Sequence, residues 1–128
     1  MSIDDTISQN ELLYEQLQIV LEQEYKRLSL FHQLESEFKK YCDGAYTLDQ
    51  YRSNISQPLL DEFQQVFIKI EKVQQELNDP VTESSVKYMQ QNEKERLERM
   101  IDLQNYKISE KEQGNRASKE KMEACEKE

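Results

Sequence analysis

The sequence predicts an all-α protein: an antiparallel helical hairpin plus a third long helix, in a coiled-coil-like three-helix arrangement. Three observations predict it. Only two glycines and two prolines occur in 128 residues, below the ordinary usage of roughly 7% and 5%, so turns are scarce. Glu, Gln, Lys and Leu, all good helix formers, are abundant. Apolar residues recur at helical spacing in three segments, and Asp43-Gly44 and Asn78-Asp79-Pro80 interrupt them.

Residues 1–9 read as a polar lead-in, with Asp5, Thr6, Ser8 and Asn10 as candidate N-caps and Glu11 at capping-box spacing from Ser8. The helical domain is expected over 10–108, with helices at about 9–43, 47–78 and 83–108. In the first helix Leu13, Leu17, Val20, Leu21, Leu28, Phe31, Leu34, Phe38 and Tyr41 form a stripe wider than a two-stranded seam needs. That width predicts packing against two neighbours. Gly44 is suited to the left-handed residue that ends this helix.

Thr47 is the expected cap of the second helix, whose stripe runs from Leu48 through Phe63 and Ile70 to Leu77. Pro58 sits inside it and opposes the carbonyl of Asn54, so a kink or short interruption is expected near residues 53–57. The third helix has a thinner stripe, Val86, Met89, Leu97, Met100, Ile101, Leu103 and Ile108. Its other face mixes charges, with Glu95 and Arg99 at a supporting spacing. Residues 109–128 read as a charged tail, a frayed helix or a segment disordered until bound. Three long helices share only a seam, so much of each should stay wet.

Charge narrows the partners. The formal net charge is −9, and no part of the chain is net basic: residues 1–46 carry nine acids against four bases, and 81–108 carry five of each. Nucleic-acid binding draws on cationic side chains at phosphates, so direct nucleic-acid binding is disfavoured. Protein partners with helical or basic surfaces suit the chain better. Cys42 and Cys125 are too few and too separated for a disulfide framework. No signal-peptide pattern opens the sequence, and no apolar run approaches the roughly 20 residues that span a bilayer. An intracellular protein without membrane insertion is expected.

Catalytic and ligand signatures are not apparent. His32 is the lone histidine, at the rim of the first stripe, and is expected as a half-buried helix-edge imidazole. Glu24 and Glu35 fall near the stripe centre, but eleven residues separate them, roughly 16 Å along a helix. They read as register devices meeting Lys or Arg of another helix. Two glycines cannot build a phosphate loop. No catalytic residues, metal ligands or cofactors are assigned, and a non-enzyme is expected. Most aromatics fall on the stripes or the turn, with Phe38 and Tyr41 expected to face Tyr46 and Tyr51. Four apolar residues fall off the stripes, Ile19, Ile68, Tyr88 and Tyr106, and these are the candidate partner contacts.

Several pieces carry a resemblance: Leu21 with Glu22 and Glu24, Tyr25 to Phe31, Tyr41, Tyr51-Arg52, the apolar series Phe63 to Leu77, and Gln91 to Leu97 with Leu103-Gln104. In this order they resemble the Required-for-excision 1-B domain family, over about residues 10–107. They are helix-packing patterns rather than a catalytic signature. The resemblance implies a link to DNA excision repair and a nuclear location. With the charge pattern, that gives a non-enzymatic adaptor for repair proteins. The alternative is a structural subunit of a larger cytoskeletal, ciliary or trafficking assembly, binding partner helices in the cytoplasm.

Overall fold

The computed structural model describes the backbone of residues 3–126 and the side chains of residues 8–116. It is all-helical among these residues: α1 (Ile3–Cys42), α2 (Leu48–Tyr51), a π-helical turn (Arg52–Ser56), α3 (Gln57–Glu76) and α4 (Pro80–Glu126). The candidate caps Asp5 and Thr6, and Cys125, lie outside the described side chains.

Helix α1 ends where the sequence indicates. Gly44 has φ +92°, the left-handed region that favours glycine. The amide of Gly44 donates to Tyr41 O at 3.0 Å, and that of Ala45 to Lys40 O at 2.9 Å. This is a Schellman closure, which satisfies two otherwise orphaned carbonyls. Thr47 then opens α2 with a capping box. Its Oγ1 accepts from Gln50 N at 3.2 Å, and its amide donates to Gln50 Oε1 at 2.9 Å.

The irregularity expected near Pro58 is the π-helical turn. Gln57 N donates to Arg52 O, five residues back. Pro58 has no amide to donate and would crowd Asn54 in an α-helical register. The wide turn also serves packing. Tyr51 and Leu59 are both buried although eight residues separate them. Two α-helical turns span about seven residues, and the wide turn absorbs the extra one.

Two boundaries differ from expectation. Helix α1 begins by Ile3, inside the polar lead-in, rather than near residue 9. Helix α4 begins at Pro80, not near 83, because Asn78-Asp79-Pro80 both ends one helix and starts the next. Asp79 accepts from Val81 N at 3.1 Å and from Thr82 Oγ1 at 2.8 Å, while Pro80 occupies the first turn, where a missing amide costs nothing. Hydrogen bonding to Thr82 and Val81 holds the Asp79 carboxyl below its ordinary value. The third helix runs on past 108, its backbone helical to Glu126, so the tail takes the helical of the two forms expected of it.

Helix α1 meets α2 and α3 in reverse order along the chain. Gln16 Nε2 donates to Glu76 O at 3.3 Å, Phe31 and Phe63 meet edge to face at 4.8 Å, and Tyr41 stacks on Tyr51 at 5.3 Å. Helix α4 lies against α1 and α3. The main core joins Val20, Phe31, Leu34, Phe63, Val66 and Ile70 with Val86 and Leu97 of α4. A second core at the turn end holds Phe38, Tyr41, Tyr51 and Ile108. Burying an aliphatic side chain at such positions contributes about 1.5–3 kcal/mol, and this packing holds α4 along the α1–α3 pair.

Candidate functional site

The most unusual buried group is Arg27, which has no exposed surface. Its Nη1 donates to Gln90 Oε1 of α4 at 2.6 Å, and Gln90 Nε2 donates to Phe67 O of α3 at 3.1 Å. The guanidinium also lies 4.8 Å from the Phe67 ring centroid, contacts Glu24 one turn back, and stands 3.9 Å from Glu93. One cation thus links three helices. Burial pulls its pKa down to about 10, with Glu93 opposing the shift, so it remains charged at neutral pH. A guanidinium charged at neutral pH is poorly suited to proton transfer but well suited to fixing register.

A second polar node closes the turn end. Tyr51 OH donates to Gln104 Oε1 at 2.8 Å in a buried pair, and Tyr41 OH donates to Glu112 Oε1 at 2.6 Å. Lys111 donates to Tyr41 O and sits 4.0 Å from the centroid of the Tyr41 ring. Tyr46 OH donates to Glu37 Oε2 at 2.6 Å, which with Lys40 lowers the Glu37 carboxyl pKa. The aromatics of the turn therefore anchor α4 as well as the α1–α3 pair.

Three residues of the expected core stripe, Leu17, Leu21 and Leu28, lie on the surface instead. Tyr14, Leu17, Leu21, Tyr25 and Leu28 follow one another at spacings of three and four on α1, and they are 39–66% exposed. They form a second apolar face beside the buried one. Two acids, Glu11 and Glu15, line a depression with Tyr14. Further along, Leu21, Tyr25 and Leu28 line a hollow of about 200 Å³ between α1 and α4, with Glu24, Glu93 and Arg96. Arg96 is occupied there: its guanidinium lies 4.2 Å from the Phe31 ring centroid and 3.9 Å from Glu93. A larger open groove, about 550 Å³, runs between α3 and α4 over Leu60, Phe63 and Phe67, with Gln64, Gln91 and Lys94 among its lining.

The residues singled out from sequence fall as follows. Ile19, Ile68, Tyr88 and Tyr106 are all exposed, but they sit on three helices. Tyr88 and Tyr106 are about 27 Å apart along α4, so the four do not make one patch. Tyr106 also hydrogen-bonds Glu110, which raises its phenol pKa. His32 is exposed, not half-buried, because the buried face of α1 is centred on Val20, Arg27, Phe31 and Leu34. Glu24 meets Arg27 of its own helix rather than a base on another, and Glu35 is exposed. Arg27 and Gln104 take the buried polar role that the stripe centre assigned to Glu24 and Glu35. Arg27 and Gln104 fall in phase with buried apolar neighbours, which was the available signal.

The family model described as DNA repair REX1-B matches residues 15–107, most of the chain. Comparison with curated proteins and with solved structures finds no match.

Proposed function

Starting from a chain that belongs to the DNA repair REX1-B family, we propose a non-enzymatic helical adaptor that binds protein partners in DNA excision repair, in the nucleus. The observation that carries this reading is the apolar face of α1 from Tyr14 to Leu28. It stays exposed on a helix whose other face is already committed to α3 and α4. Exposed apolar patches of this kind mark interaction surfaces. The charge of −9 favours protein over phosphate as the partner.

The test is affinity purification of the tagged full chain from its own cells at moderate salt, with mass spectrometry of what accompanies it. Repair proteins in stoichiometric amount are expected. Nanomolar affinity for duplex DNA with a steep salt dependence would overturn the adaptor reading in favour of a direct DNA binder. Tyr88→Ala/Tyr106→Ala tests the candidate contacts on α4 and should weaken capture while preserving helical content.

The length of α4 supports a second reading. Its contacts with Tyr41 come at Lys111 and Glu112, and the helix continues to Glu126. A helix of this length suits a structural subunit that bundles with partner helices. Recovery of cytoskeletal, ciliary or trafficking proteins in place of repair proteins would favour that reading.

A further inference from the structure

We propose that the exposed face of α1 receives an amphipathic helix of a protein partner, one whose flanks carry Lys and Arg, so that the three helices become four. The proposal deepens the adaptor reading and rests on it. Three features of the face specify the occupant.

Shape comes first. Tyr14, Leu17, Leu21, Tyr25 and Leu28 span about 21 Å, or four helical turns. They repeat at the interval with which one helix reads another. The face lies beside α4, with the hollow at Leu21, Tyr25 and Leu28 between the two helices. A helix laid there would contact α1 and α4 together, as a member of a four-helix bundle does.

Charge comes second. Glu11 and Glu15 adjoin Tyr14, Glu22 follows Leu21, and Glu24 and Glu93 border the hollow. The bases of α1 between Asn10 and Phe38 are Lys26 and Arg27. Arg27 is buried, which leaves Lys26, next to Tyr25, as the exposed base of α1 on this rim against Glu11, Glu15, Glu22 and Glu24. Arg96 is held by Phe31 and Glu93. An acidic rim around an apolar stripe fits a helix with basic flanks.

The same rim disfavours the simplest alternative occupant. A second copy of the chain laid on this face would set one acidic rim against another, and like charges across an interface are penalised.

The experiment uses the full chain and two synthetic helical probes of 21 residues. Both carry leucine on one face; one has lysine on both flanks, the other glutamate. Fluorescence anisotropy should show binding of the lysine-flanked probe, at least tenfold tighter than the glutamate-flanked one. Leu21→Ser/Leu28→Ser should weaken it at least tenfold, and so should Tyr25→Ser. Val81→Ser, exposed at the start of α4, should not. These substitutions leave the net charge unchanged, so adsorption by charge alone would bind all of them equally and overturn the proposal. So would equal binding of the two probes. A dimer of the chain alone, abolished by Leu21→Ser/Leu28→Ser in sedimentation, would overturn it by assigning the face to a second copy. Far-ultraviolet circular dichroism checks that each variant folds.

Affinity purification separates this proposal from the adaptor reading. Repair proteins captured equally by wild type and Leu21→Ser/Leu28→Ser would leave the adaptor intact and overturn the α1 surface. Probe binding with the expected variant pattern, without repair proteins in the purification, would support the surface while the repair link fails.

Discussion

Arg27 of α1 and Gln90 of α4 are joined by a 2.6 Å hydrogen bond at the junction of three helices. Gln90 passes the contact on to the backbone of α3 at Phe67. Removing Arg27 therefore affects three elements at once. Arg27→Ala leaves a cavity and an unpaired Gln90 carbonyl, and should cost about 2–4 kcal/mol in urea unfolding. Arg27→Met fills the volume without the charge and should cost less, because a buried ion repays its desolvation only in part. If the two variants unfold alike, the side chain matters for charge and not for packing.

The buried pair Tyr51–Gln104 permits a sharper experiment. Both residues are nearly inaccessible, and the phenol donates to the amide oxygen at 2.8 Å. Tyr51→Phe strands that oxygen and should cost about 1–3 kcal/mol. Adding Gln104→Leu removes the stranded acceptor and should recover part of the loss, since deleting both partners can be close to neutral. A double-mutant cycle in chemical denaturation measures the coupling. Strict additivity would mean that the bond contributes nothing.

The same phenols give the fold an alkaline limit. Burial raises the pKa of Tyr41, with the Glu112 hydrogen bond adding to it, and burial raises that of Tyr51. In the unfolded chain both titrate near 10. Above that pH the unfolded state sheds protons that the folded state retains, so the stability from these groups is complete below about pH 10 and falls as pH rises further. Arg27, with its lowered pKa, acts in the opposite sense over part of this range. The informative quantity is therefore the difference between wild type and Tyr41→Phe/Tyr51→Phe. The wild type should lose stability more steeply between pH 9.5 and 11, and equal slopes would remove the tyrosines from the account.

Much of this fold can be read directly from residue chemistry. Gly44 and Thr47 mark a turn because left-handed backbone and side-chain capping are local properties. Pro58 marks a distortion for the same reason, although the π-helical form depends on how Tyr51 and Leu59 both reach the core. Asn78-Asp79-Pro80 reads as a stop, yet Asp79 and Pro80 also form a start, and only the hydrogen bonds to Val81 and Thr82 separate the two meanings. The candidate surface was the least legible part. Leu17, Leu21 and Leu28 have the same chemistry and spacing as core leucines. Which stripe α3 and α4 cover depends on long-range packing around Phe31 and Leu34, and periodicity cannot distinguish a covered apolar face from an open one.

Helix α3 offers a clean test of that distinction, because Ile68 and Ile70 are two residues apart and face opposite ways. Ile70 has no exposed surface in the main core, while Ile68 is 46% exposed. Ile70→Ala should cost about 2–5 kcal/mol through lost burial and the cavity left beside Phe63 and Val66. Ile68→Ala should stay within about 0.5 kcal/mol, since alanine also favours the helix. Thermal and urea unfolding of both variants would measure the contrast. A large loss at Ile68 would place that residue under a self-contact of the chain in solution. The expected small loss would leave it free to be tested as a partner contact, without confusing lost binding with lost folding.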